Sequence, residues 1–457
     1  MDWQSRRLNQ RRPLLNLKRA QSRRSLFGLI SLLVIAGMLV FAGGILSGRF
    51  SLASLYKSNT PPKVQVFQKT DSDSNRSESL TKDTLARLIG PRSFNEDELN
   101  AFEIKNKTGE DLFVNTTLIP ELQKWAVKTI SRTRAHSAAL VILNPDRGDV
   151  LAMASYTDNH QPVNLVLRSS FPAASLFKIV TAAAAVETAN LNCSSILAYN
   201  GRKYTLYRKQ LRTDVRSGRN RVTLQESFAK SINVVFGKLG AYLLSPDVLK
   251  EFARRFYFNK PIPFELPVQP SRFKPPDSDS FHLAEAASGF NRTTMLSPLH
   301  GALIAAAMVK DGLIVEPTVV REVFNRNNNI YYRHQTAYLG RAISTETARE
   351  LKRMMRATIT KGTGRPFFRR RRAQAILSKL EIGGKSGSIN DNQGRRVDWF
   401  ISFAVKKGSH DKIALAAVVV HHRDKLGLRA QAIVRDSIIH YFGPHLRADK
   451  KSNATRG

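Results

Sequence analysis

With 457 residues, 42% of them hydrophobic, the chain can bury a large core, and its composition excludes a disordered or low-complexity protein. Lysine and arginine number 72 against 36 acidic residues, a formal charge of +36 that in a cytosolic protein would suggest nucleic acid. A single cysteine, Cys193, excludes a disulfide-stapled scaffold, so a domain of this size is held by packing.

In chain order, residues 1–25 form a basic tail carrying Arg6, Arg7, Arg11, Arg12, Lys18, Arg19, Arg23 and Arg24 against Asp2. Residues 26–46, "LFGLISLLVIAGMLVFAGGIL", contain no charge and give about 30 Å of helix, enough to cross one bilayer. The arginines ahead of this span predict a cytoplasmic start, which puts everything after it on the extracytoplasmic side of a bacterial inner membrane. Cleavage after Ala42 to Gly44 is the alternative. This topology removes nucleic acid from the expected partners and leaves a polyanionic wall or an anionic membrane face. The run "RPFFRRRR" from Arg365 to Arg372 reads either as a solvated loop or as a contact with such a surface.

Residues 47–113 read as a polar linker and a small pedestal, with two short helices expected over Leu80 to Glu103 and a capping-box spacing at Ser93 and Glu96. The stretch "PELQKWAVKTISR" has helical spacing, and "AALVILN", "PDRG" and "DVLAMAS" predict a strand, a turn and a strand. The segment from Leu299 to Gly312 reads as a helix of small residues. "LEIGGKSGSI", "DWFISFAV" and "KIALAAVVVHH" predict three strands joined by short turns, hence antiparallel, before a helix near Ala430 to Phe442. An α+β fold follows: an antiparallel sheet combining the early hairpin with the late strands and flanked by helices.

"FPAASLFKIVTAAAAVE" puts Ser175 and Lys178 one turn apart at the head of an apolar helix, close enough to share a proton. Alone, the pair also reads as a cap and a snorkelling lysine, since Ser-x-x-Lys starts at Ser54, Ser79, Ser175, Ser227, Ser271 and Ser409. Its context is distinctive: "SIN" follows at Ser231 to Asn233, between two helical stretches, and "GGKSGS" at Gly383 to Ser388 lies on a strand. A serine hydroxyl needs a base, and a lysine with an ordinary pKa of about 10.4 serves only if that value falls by about 3 units. Burial in an apolar helix and a nearby cation such as Lys385 both push it down. Other motifs fail: a phosphate loop would need glycine where Lys379 stands, and there is no Gly-x-Ser-x-Gly elbow. His421 and His422 are adjacent on a strand and point apart, no Cys or His cluster has metal-site spacing, and no metal or cofactor is expected.

The order Ser-x-x-Lys, Ser-x-Asn, Lys-Ser/Thr-Gly resembles that of penicillin-binding proteins and serine β-lactamases. "NTTLIPELQKWA", "AALVILNPDRGDVLAMASY", "TLQESFAKSINVVFGKLG", "TTMLSPLHGALIAAAMVKDG", "TKGTGRPF" and "VDWFISFAV" extend the likeness to a penicillin-binding transpeptidase domain over residues 114–443, followed by a basic tail at 444–457. Lys107, Thr108 and Gly109 repeat one motif out of order. The resemblance implies that Ser175 is acylated, Lys178 is its base and Ser231 relays a proton to the leaving amine. It implies that Asn233 bonds substrate backbone, that Lys385 and Ser386 take the terminal carboxylate of a D-alanyl-D-alanine stem peptide, that Gly387 lets substrate backbone approach, and that the N–H groups of Ser175 and Ser388 form the oxyanion hole. The implied activity is that of a class B-like D,D-transpeptidase cross-linking peptidoglycan, a target of β-lactams, with no glycosyltransferase segment and so a separate glycan polymerase as partner. A D,D-carboxypeptidase and a weakly catalytic scaffold are the alternatives; a β-lactam sensor needs more than a 25-residue cytoplasmic tail.

Overall fold

The computed structural model describes residues 80–92, 101–160, 163–275 and 279–454. The expected membrane span at 26–46 and the capping box at Ser93 lie outside them. Among the described residues no helix is long and apolar enough to cross a membrane.

A five-stranded antiparallel sheet forms the centre, built from β3 (Ser137–Leu143), β4 (Val150–Thr157), β7 (Leu380–Asn390), β8 (Arg396–Lys406) and β9 (Lys412–Val420) in the spatial order β7-β8-β9-β3-β4. The early hairpin and the late strands therefore share one sheet, as expected. Its strands are apolar on both sides because both faces are covered. Along β3, Ala139, Val141 and Leu143 enter one core and Ala138, Leu140 and Ile142 the other, the two-residue period of a strand. Helix α6 (Pro298–Ala307), buried along its whole length, packs on one face, and α7 (Thr345–Thr360) packs against β7. Helices α2 (Pro120–Ser131) and α8 (Ala430–Ala454) cover the other. Helix α8 runs past the expected end at Phe442 and carries Pro444 inside it.

The region expected as a helical pedestal differs. Helix α1 (Lys82–Ile89) is present, capped by the Thr81 hydroxyl, but Ala101–Lys105 is a strand, β1. It pairs with β2 (Asp111–Thr116), and the sheet continues through β5 (Val320–Asn325) and β6 (Ile330–Arg333). Strand β2 thus spans the expected 113/114 division and hydrogen-bonds to residues deep in the following segment. Alternation of Phe102 and Ile104 inward with polar residues outward accounts for the strand.

Candidate active site

Between the central sheet and the helical region lies a cleft of about 450 Å³ lined in part by Ser175, Ser231, Asn233, Thr363, Ser386 and Ser388. Ser175 sits in a 3-10 turn, Ala174–Phe177, which leads into helix α3 (Lys178–Thr188); its hydroxyl caps nothing. The turn starts from Ala174 at φ 48, a left-handed conformation costly for a residue with a Cβ. Ser231 is held the same way, at φ 55, immediately before helix α4 (Asn233–Tyr242). Both residues in this conformation adjoin the cleft: Ala174 precedes Ser175, and Ser231 lines it.

Lys178 is fully buried. Its Nζ lies 2.7 Å from Ser175 Oγ and 2.8 Å from Asn233 Oδ1, and it also donates to the Ser288 carbonyl. Asn233 Nδ2 donates to the Tyr204 carbonyl at 2.9 Å, which fixes Oδ1 toward the lysine. Two of the three oxygens can only accept. A neutral amine has two N–H groups for them, and its lone pair is left for the Ser175 hydroxyl, which then becomes the donor. Burial holds Lys178 well below the ordinary lysine range, and the charge of Lys385 lowers it further.

Lys385, on the edge strand β7, is also fully buried and donates to Ser231 Oγ and to the Ser386 carbonyl, each at 2.9 Å. Burial pushes it down to about 7. Ser386 Oγ lies 2.6 Å from Thr363 Oγ1, so two hydroxyls meet beside that lysine. Of the eight residues singled out in the sequence, Ser175, Ser231, Asn233, Ser386 and Ser388 line one cleft, Lys178 and Lys385 are buried behind it in hydrogen bonds to Ser175 and Ser231, and Gly387 lies on β7 between Ser386 and Ser388. A Cβ on Gly387 would meet Ala173 O at 3.2 Å and Ala174 Cβ at 3.3 Å, so its bareness lets the Ser175 turn pack closely against β7. Trp399 Nε1 donates to Pro172 O at 2.9 Å and anchors the same turn to the sheet.

A family model described as the penicillin binding protein transpeptidase domain matches residues 138–439. The chain belongs to this family. It is 24% identical over 278 residues to stage V sporulation protein D of Bacillus subtilis, covering 58% of this chain and 42% of that one. With peptidoglycan D,D-transpeptidase PbpA of Mycobacterium tuberculosis the identity is 25% over 363 residues, 70% of each chain. The chain spans 42% and 47% of the length of two Bacillus relatives, the sporulation protein and penicillin-binding protein 3. Among solved structures, penicillin-binding protein A of M. tuberculosis, as a ceftriaxone acyl-enzyme complex, superposes with a TM-score of 0.58 at 24% identity over 72% of this chain and 79% of that one. The mixed fold of antiparallel sheets and helices is that of the penicillin-binding transpeptidases.

In this family member the competing Ser-x-x-Lys pairs are occupied elsewhere. Ser227 Oγ donates to the Leu224 carbonyl, Lys230 pairs with Glu226, and Ser271 Oγ accepts from Ser297 N. Ser54 and Ser79 lie outside the described residues. The copy at Lys107 to Gly109 occupies the turn between β1 and β2.

Sequence reasoning missed Thr363, Arg396, Asp398, His421 and Arg429. Asp398, fully buried, accepts from Ser388 Oγ at 2.6 Å, Arg396 Nε at 2.9 Å and His421 Nε2 at 3.0 Å, and pairs with Arg429. Burial alone would raise its carboxyl, but these hydrogen bonds and the Arg429 charge hold it well below the usual carboxylate range. Gly427 N–H donates to His421 Nδ1, so the hydrogen-bond network assigns the ring proton to Nε2. At the end of the sheet, His136, Asp158 and His422 bring ligand-type atoms within 4.8 Å of one another; His136 Nδ1 and Asp158 Oδ2, 2.9 Å apart, form the close pair.

Proposed function

We propose that this chain is a serine D,D-transpeptidase that cross-links peptidoglycan stem peptides. The observation that carries the reading is the Lys178 amine set between the Ser175 hydroxyl and two acceptors that orient it. Ser175 Oγ attacks the carbonyl between the two terminal D-alanines while its proton passes to Lys178. Ser231, bonded to Lys385, relays a proton to the departing D-alanine amine. Lys385, Ser386 and Thr363 take the terminal carboxylate, and the N–H groups of Ser175 and Ser388 stabilise the oxyanion. An amine of a neighbouring stem then attacks the acyl-enzyme.

The amine-to-water ratio in product distinguishes this activity from carboxypeptidation. Purified protein supplied with a donor peptide should release D-alanine and, with an acceptor amine present, form the amide. Hydrolysis alone at every acceptor concentration would make it a carboxypeptidase, and neither product would favour a scaffold. The reading places the domain on the extracytoplasmic side of a bacterial inner membrane behind residues 26–46, with a separate glycan polymerase supplying strands.

A further inference from the structure

The Asp398 network carries more charge than it needs to satisfy itself. Arg396 and Arg429 set two guanidinium charges against one buried carboxylate, so one positive charge is left over at the cleft wall. Each guanidinium has five N–H groups, and Arg396 spends only its Nε on Asp398. Both side chains line the same cleft as Ser175 and are partly open to it, with 39% and 27% of their surface exposed. The ionised Asp398 can only accept, so the Ser388 hydroxyl donates to it and turns only lone pairs toward the cleft. Anion recognition at this end of strand β7 therefore falls to the arginines.

Their place on the sheet says what they face. Ser388 is opposite Asp398 and Asn390 opposite Arg396, so Arg396 lies two residues, about 7 Å, beyond Ser388. Lys385, Ser386 and Thr363 lie to the other side of Ser388. With the terminal carboxylate on that side and the reacting carbonyl at Ser175, the rest of an extended donor runs toward Asn390 and the arginine pair.

We propose that Arg396 and Arg429, held by Asp398, form an anion subsite for a side-chain carboxylate on the donor residue immediately before the D-alanyl-D-alanine pair. The inference rests on the acyl-transfer reading for the direction of the donor. It makes the donor class a stem peptide whose third residue is a dicarboxylic diamino acid with the second carboxylate free, rather than amidated or absent. Asp398 is a positioning residue that fixes the two guanidinium planes.

The test is equilibrium binding by calorimetry to the full chain carrying Ser175→Ala, so that nothing is consumed. Two tripeptides are compared, identical except for a side-chain carboxylate or carboxamide before D-alanyl-D-alanine. The carboxylate peptide should bind at least about tenfold tighter, as a charge-assisted pair requires, and the advantage should shrink to about twofold or less in Arg396→Gln and in Arg429→Gln. Arg396→Lys should retain part of it. Equal affinity of the two peptides, no binding of either, or a preference that survives both glutamine substitutions overturns the subsite; the first two outcomes need no variant to fold. Penicillin acylation of the unmutated chain is measured in parallel. Acylation without a carboxylate preference sinks the subsite alone, whereas a preference without acylation sinks the transpeptidase reading and keeps the anion site.

Discussion

At the scale of single residues the chemistry turns on two buried lysines with opposite duties. Lys178 has to be neutral to accept the Ser175 proton, and Lys385 has to be charged to hold a carboxylate and to keep Lys178 neutral. Falling pH protonates Lys178 and removes the base; rising pH discharges Lys385, whose value lies at about 7. The second-order rate of β-lactam acylation, which reports the free enzyme, should therefore be bell-shaped with its alkaline limb near 7, and the limb belongs to the coupled pair. At saturating drug, the bound carboxylate should move that limb to higher pH. A flat profile from pH 6 to 9 would remove Lys385 from the capture step. The same depression affects folding: between about 7 and 10 the unfolded chain holds a proton that folded Lys385 has released, so stability should rise with pH across that window. Urea midpoints across the range should show a smaller rise in Lys385→Met.

At the scale of elements, the Ser175 turn is wedged between β7 and the end of helix α5 (Ser280–Ser288). Gly289, which ends that helix at φ 64, has no Cβ because one would overlap the Ala174 carbonyl. Gly289→Ala should cost about 2–4 kcal/mol, from the left-handed conformation and the overlap together, and should slow acylation by displacing the turn. Thermal unfolding and stopped-flow acylation test both effects; a fully stable variant with wild-type acylation would show that the turn does not need this contact. The sequence made the candidate catalytic motifs legible because each is local: three or four residues close together in the chain, with chemistry written in residue type. It did not reveal Thr363, Asp398 or Arg429: strand register sets Asp398 behind Ser388, and Thr363 and Arg429 reach the cleft from just past helix α7 and just before helix α8. Nor did it reveal that Ala174 and Ser231 adopt left-handed backbone, since neither residue type asks for it. Strand β1 was hidden because its partner β2 pairs onward with β5, far along the chain, while its own five residues offer only Phe102 and Ile104.

At the scale of the whole molecule, the proposed topology rests on the uncharged stretch at 26–46 and the arginines ahead of it, and the +36 charge then calls for a polyanionic wall or membrane face as its counterpart. With residues 26–46 as a single span, a phosphatase fused after Gly457 should be active and a cytoplasm-only reporter fused there should be silent. The opposite pattern would put the domain inside and end the cell-wall reading. Arg369, Arg370 and Arg371 are exposed. Substituting Arg369 to Arg372 with Gln should weaken binding to isolated cell walls and flatten its dependence on salt, because screening acts chiefly on exposed charges. Identical binding across a salt series would make the run a solvated loop.

The most direct test of Ser175 as an acylated nucleophile is the intact mass of the protein after exposure to penicillin, followed by peptide mapping of the adduct. A β-lactam leaves no departing group to make room for an acceptor, so the acyl-enzyme should persist as one drug mass on Ser175, absent in Ser175→Ala and formed about 100-fold to 10,000-fold more slowly in a folded Lys178→Ala. An adduct on any other serine, or a folded protein that gains no mass, would contradict the account.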